Sequence, residues 1–206
     1  MMEIITPATI LVSGPTGSGK TQWVKRLILE DFFHQKIDKI YWFYGAWQSA
    51  YEDLKQKVEF IEGMQDEVHE RITGDKNTLL VIDDLMDELA SNDKLSNLFT
   101  KGSHHRKITI IFLLQNLFPK GKSFRNISLN SQYIILYKNP RDKLQISRIG
   151  QQMGMTKALA EAFKDATAEP YGYLLIDLKP NCPERLRLRT NIFPSDGNTI
   201  VYQPKK

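Results

Sequence analysis

The sequence predicts an α/β fold in which a mostly parallel central sheet carries helices on both faces and closes with a C-terminal β-hairpin. Three observations predict it. Continuous apolar runs at residues 78–82 and 108–114 have the composition of strands buried on both faces of a parallel sheet. Stretches of helical periodicity alternate with such strands along the chain, the order that winds a parallel sheet. The strands also run straight into polar residues at their carboxyl ends, where open α/β sheets hold their ligands.

Residues 8–13 form a β-branched and aliphatic run that ends in a glycine-rich loop, and a helical pattern follows from Thr21 to about Phe33. Lys39-Ile40-Tyr41-Trp42-Phe43-Tyr44 reads as a second strand between Asp38 and Gly45. Residues 48–72 are charged and weakly periodic, and one or two short surface helices are expected there. The apolar run 78–82 ends in Asp83-Asp84, a polar helical stretch extends from Leu85 to about Lys101, and the run 108–114 ends at Gln115. A strand is expected at 133–137, and helices at 141–153 and 156–167, the second with Thr156 as its N-cap. Strands at 173–177 and 185–189, separated by Lys179-Pro180-Asn181-Cys182-Pro183, form the closing hairpin.

At 206 residues the chain is long enough for one α/β domain, and residues 1–206 read as a single one. Apolar residues are 41% and charged residues 25%, which argues against a mostly disordered chain. The net charge of +4 permits contact with a polyanion only if the basic residues cluster. They do: Lys101, His104, His105, Arg106 and Lys107 precede the Gln115 strand, and Lys120, Lys122 and Arg125 follow it. A nucleic-acid contact and a solvated rim both account for this pattern. His104 and His105 have no further Cys or His at zinc-ligand spacing. Trp23, Trp42 and Trp47 read as packing residues. Cys182 is the only cysteine, which fits a reducing compartment, and no apolar run approaches the roughly 20 residues that span a bilayer. The N-terminus lacks the pattern of a signal peptide, so a soluble protein without membrane insertion is expected.

The loop Gly14-Pro15-Thr16-Gly17-Ser18-Gly19-Lys20-Thr21 matches G-x-x-x-x-G-K-[S/T], and here it has the required strand before it and helix after it. Its glycines let successive backbone N–H groups face phosphates at the positive end of the following helix. Lys20 adds a point charge for the β- and γ-phosphates, the Thr21 hydroxyl is a ligand for Mg²⁺, and the nucleotide-binding set runs from Gly14 to Gln22. The implied ligands are ATP and Mg²⁺. Asp83, an acid at the end of a buried strand, is the second metal ligand. Asp84 has two readings: a carboxylate that polarises the attacking water, or the cap of the helix starting near Leu85. Glu88, beside Asp87 one turn on, is a fallback base. The strand at 39–44 between the loop and Asp83, and the Gln-tipped strand beyond it, suggest the additional-strand class of P-loop NTPases. Gln115 is then the sensor of the γ-phosphate or of the attacking water, with Asn116 as a substitute.

With these residues in hand, the chain resembles the DNA-packaging ATPases of double-stranded DNA viruses, within the FtsK/HerA-like group and near the poxvirus-type and Polinton-type enzymes. The resemblance covers roughly residues 8–153. It rests on the phosphate loop, on Leu80-Val81-Ile82-Asp83-Asp84-Leu85-Met86, on Lys101-Gly102-Ser103-His104-His105-Arg106 and on Leu114-Gln115-Asn116. It continues through Phe124-Arg125-Asn126-Ile127-Ser128-Leu129-Asn130 and Tyr137-Lys138-Asn139-Pro140-Arg141-Asp142. It implies a homo-oligomeric ring of five or six subunits that hydrolyses ATP to drive double-stranded DNA into a viral capsid, through contact with capsid or vertex proteins inside an infected cell. It also implies an arginine finger given to the neighbouring subunit's site, with Arg106 in the matching position and Arg125 as second choice. Asp84 departs from the pattern, since relatives often carry Glu there.

Two other readings compete. A small-molecule or nucleoside kinase would need an arginine-rich lid, a role into which the segment 138–148 could be pressed, but the strand ending Asp83-Asp84 followed by a Gln-tipped strand fits a hydrolase better. A GTP-dependent switch would need an Asn-Lys-x-Asp sequence, which the chain lacks.

Overall fold

The computed structural model describes residues 3–64, 75–85, 107–117, 127–142 and 144–203. Six parallel strands form the larger part of its sheet: β1 (Thr9–Ser13), β2 (Lys39–Tyr44), β3 (Glu59–Glu62), β4 (Thr78–Asp83), β5 (Ile108–Leu114) and β6 (Tyr133–Tyr137). β7 (Tyr173–Asp177), β8 (Leu188–Thr190) and β9 (Ile200–Tyr202) add on in antiparallel fashion. The spatial order is β3-β2-β4-β5-β1-β6-β7-β8-β9.

Alternation along the strands sorts side chains to two faces. Leu11, Leu80, Ile82, Ile110 and Phe112 point to one face and pack with Ile149 of α2 (Leu144–Met153) and Leu159 of α3 (Thr156–Ala166). Ile10, Val12, Leu79, Val81 and Ile111 point to the other and pack with Trp23, Val24, Leu27 and Ile28 of α1 (Lys20–Leu29). Residues 79–82 of β4 are all fully buried, as a central strand covered on both sides requires.

Several boundaries differ from the sequence expectation, each for a local reason. α1 stops at Leu29 because Asp31 takes a left-handed backbone (φ 48°), which turns Phe32 and Phe33 back into the core. The segment expected as surface helix contains a 3-10 helix, Ser49–Leu54, and then the strand β3 at the sheet edge. α2 starts at Leu144 rather than Arg141, since the Asp142 carboxylate accepts the Leu144 N–H and opens the helix there. Thr156 is the first residue of α3, not its N-cap; that place is taken by Met155, with no side-chain cap. The second hairpin strand begins at Leu188, after a 3-10 turn at Glu184–Leu186, and β9 was not anticipated. The helix expected over residues 85–101 lies, apart from Leu85, outside the described residues.

The strand interposed between β1 and β4 is β5, the strand that Gln115 follows. β2, which stands between the loop and Asp83 in sequence, lies on the far side of β4. The architecture is that of the additional-strand class, but the additional strand is not the one that sequence order points to.

Candidate nucleotide-binding site

The carboxyl ends of β1, β4 and β5 are neighbours, so the loop after β1 meets the polar residues that end the other two. The register brings Ser13 opposite Leu114 and Asp83 opposite Leu113. The loop is tied to β5 at its first residue, where the Gly14 N–H donates to the Leu114 carbonyl at 3.0 Å. A methyl group on Gly14 would stand 2.6 Å from Tyr137 Cβ and 2.7 Å from Ser18 Oγ, so only glycine fits this turn without a shift. The loop then leads directly into α1, whose amino end has no side-chain cap, and the free N–H groups of a helix amino end attract anions.

Lys20 is held over the loop, its ammonium donating to the carbonyls of Gly14 (2.7 Å) and Pro15 (2.9 Å). Burial lowers its pKa, and the charges of Asp83 and Asp84 pull it back up. A hollow of about 110 Å³ is lined by Thr16, Lys20, Thr21, Asp83, Asp84 and Gln115, together with Gln48. Seven of the sequence-selected residues, Gly17 included, thus meet in one place.

Asp83 is buried, and its carboxylate accepts a hydrogen bond from the Tyr51 hydroxyl at 2.7 Å. Burial pushes its carboxyl up from the ordinary aspartate range, while the Tyr51 hydrogen bond and the Lys20 charge act the other way. Tyr51 is fully buried against Trp42, and burial raises the pKa of its phenol, which keeps it a donor. Tyr51→Phe would leave one oxygen of a buried carboxylate without its partner. That is expected to lower unfolding free energy by about 1–3 kcal/mol, to be read from urea denaturation.

Asp84 has a left-handed backbone (φ 58°), a conformation in which Asp is enriched, and its exposed side chain accepts a hydrogen bond from Gln115 Nε2 at 3.2 Å. An N-cap residue is ordinarily extended, so this backbone departs from the capping geometry. Asn116 is also exposed at the strand end, outside this hollow's lining.

The oxygen donors gathered here, a desolvated carboxylate and the Thr21 hydroxyl beside an anion-binding loop, suit a hard divalent cation. Mg²⁺ takes one or two protein oxygens and fills its octahedron with phosphate and water. Among the described residues no group of three metal-ligating side chains forms a protein cage.

Arg106, Arg125, Asp87, Glu88, Lys101, His104, His105, Lys120 and Lys122 lie outside the described residues. Of the basic cluster, Lys107 is described: it is exposed, at the amino end of β5, the edge of the sheet opposite the loop. Of the segment 138–148, residues 144–148 form the first part of α2, whose Ile149 joins the core, and Lys138 lines a second hollow beside the loop. Trp23 and Trp42 are core residues, whereas Trp47 is 43% exposed and joins an aromatic group with Tyr44, Tyr51 and Phe60. Cys182 is half-buried, and burial raises the pKa of its thiol.

Sequence reasoning missed Tyr51 and Gln48. Both sit in the charged segment after β2, with no motif around them, and reach the site only through the packing of β2 beside β4.

No family model and no curated protein matches the sequence. Solved structures do. The DNA-packaging ATPase B204 from Sulfolobus turreted icosahedral virus superposes with a TM-score of 0.60 at 13% identity, covering 97% of this chain and 98% of that one. The genome packaging NTPase B204 from Sulfolobus turreted icosahedral virus 2, in complex with ATPγS, gives 0.56 at 14% identity over 96% and 97%. The cytoplasmic domain of the type VII secretion ATPase EccC from Thermomonospora curvata gives 0.55 at 12% identity over 85% of this chain and 24% of that one. This is a P-loop NTPase fold. At such identities the likeness speaks for the fold alone, and the antiparallel strands β7 to β9 of the P-loop domain complete the mixed sheet. No helix among the described residues is long and apolar enough to cross a membrane.

Proposed function

We propose that the chain, as one domain over residues 1–206, is a Mg²⁺-dependent ATPase that drives double-stranded DNA into a viral capsid as a homo-oligomeric ring. The observation that carries the reading is the convergence of Lys20, Thr21, Asp83, Asp84 and Gln115 on one hollow at the carboxyl ends of β1, β4 and β5. The backbone of residues 14–22 cradles the phosphates, and Lys20 neutralises the β- and γ-phosphates. Thr21 and Asp83 hold Mg²⁺, which supplies further neutralisation of the phosphate charge when bound. Asp84 orients the attacking water, and Gln115, hydrogen-bonded to Asp84, senses the γ-phosphate. A hydrolase of this kind needs a finger from the next subunit, which we assign to Arg106, with Arg125 as the alternative.

The packaging role is supported by the nearly full-length likeness to the viral packaging enzymes and by the motif order through residue 153, which also underlies the proposed place near the poxvirus-type and Polinton-type enzymes. Capsid or vertex proteins are the proposed docking partners, and the infected cell is the proposed setting. The kinase reading is less favoured because Asp83, Asp84 and Gln115 at the strand ends line the hollow with Lys20, an arrangement that suits a hydrolase.

The test is the ATPase rate against protein concentration, with and without duplex DNA. A ring motor is expected to show a specific rate that rises with concentration and with DNA of any sequence, and DNA binding that falls steeply with salt, as backbone-phosphate contacts require. A rate indifferent to DNA and raised by a small hydroxylated acceptor would point to a kinase instead.

A further inference from the structure

Beside the first turn of α1, on the side of the loop away from Asp83, lies a hollow of about 270 Å³ lined by Gly19, Gln22, Arg26, Tyr137 and Tyr171 among others. Tyr171 is the outlier in this wall. It is 72% exposed, so core packing does not account for it. Its backbone is left-handed (φ 64°), where a bulky side chain costs energy and glycine or asparagine would sit with less strain.

The turn that presents Tyr171 is tied by hydrogen bonds and close packing. The Thr167 hydroxyl donates to the Phe163 carbonyl (2.7 Å), the Gly172 N–H donates to the Glu169 carbonyl (3.1 Å), and a methyl group on Gly172 would stand 2.4 Å from the Ala166 carbonyl oxygen. The backbone is therefore clamped on both sides of Tyr171, and its ring is left standing over the loop. A methyl group on Gly19 would lie 3.4 Å from that ring. Strained residues held by a well-ordered frame cluster at ligand sites.

The direction of a bound triphosphate follows from the loop. The Lys20, Asp83 and Asp84 hollow takes the terminal phosphate, so the opposite end of the polyphosphate leaves past Gly19 and Gln22, towards Tyr171. From the exposed ring that a strained backbone holds beside the exit of the phosphate loop, we infer that Tyr171 is the stacking platform for the nucleobase. The inference rests on the nucleotide-site reading above. Stacking uses a π-face that every base possesses, and it is worth about tenfold or more in affinity.

The experiment compares two probes on the full chain with Mg²⁺: the non-hydrolysable ATP analogue AMPPCP, and inorganic tripolyphosphate, which has phosphates and no base. Tyr171→Ala is expected to weaken AMPPCP about tenfold or more and leave tripolyphosphate unchanged, while Tyr171→Phe, which keeps the ring, binds both as the parent does. Etheno-ATP fluorescence, quenched by stacking, is expected to lose its quench in the Ala variant and keep it in the Phe variant. Equal losses on both probes would mean that Tyr171 only shapes the loop, and unchanged affinity for both would mean that its ring serves another surface, such as a subunit contact. Either result overturns the assignment. Lys20→Ala separates this from the underlying reading: if it binds tripolyphosphate as well as the parent does, the loop is not the phosphate site and the base assignment falls with it.

Discussion

Lys20→Ala is expected to bind ATP about 10²–10⁴ times more weakly, on the basis of two lost hydrogen bonds to charged phosphate oxygens at roughly 1.5–3 kcal/mol each. The fold is expected to survive. Lys20 belongs to neither core cluster, and its ammonium contacts the carbonyls of Gly14 and Pro15 within the loop itself. Its position is suited to the transfer of those bonds: the amine is already desolvated and carries the pull of Asp83 and Asp84 nearby. Nucleotide titration beside a thermal melt reads both halves of the expectation. Parental affinity in a folded variant would remove the phosphate-site assignment, whereas a collapsed melt would show that the lysine holds the loop together.

Arg106→Ala is expected to keep ATP affinity and lose turnover by about 10³–10⁵, the range measured for arginine fingers. Action on a neighbouring subunit is part of the function proposed above. Lys107, the residue after Arg106 in sequence, stands just before β5 at the amino edge of the sheet, whereas the phosphate loop lies at the carboxyl edge, roughly 20 Å along the strand. Mixing Arg106→Ala with Lys20→Ala is therefore expected to restore some ATPase activity, because a mixed interface pairs an intact loop with an intact finger. Normal turnover by Arg106→Ala alone would refute the assignment. A mixture that assembles into rings and stays inactive at all ratios would transfer the finger to Arg125 or show that every site must be intact.

The parts of the site that could be read without a structure are those whose chemistry is bound to a local backbone pattern. A glycine-rich turn between strand and helix can be recognised from Gly14 to Thr21 because the conformation that cradles phosphate is specified by residues adjacent in sequence. Asp83 and Gln115 could be picked because each ends a long apolar run, and both do line the hollow with Lys20. Edge elements were less legible. β3 begins and ends with Glu59 and Glu62, and its Lys39–Glu59 ion pair spans 2.8 Å at the sheet margin, so no apolar alternation marks it. β9 has only three residues and an exposed Ile200, too little to distinguish from a tail.

Taken alone, the sequence determined the α/β class, the phosphate loop and the polar residues at the strand ends, since these follow from periodicity and short-range chemistry. The tertiary structure decided which strand is interposed between β1 and β4, placing β5 there and β2 beyond them. Strand order depends on contacts between runs distant in sequence, and periodicity within a run carries no information about its neighbour. For the same reason only the fold could deliver the Tyr51 hydroxyl to Asp83 across 32 positions, or set the exposed ring of Tyr171 beside Gly19.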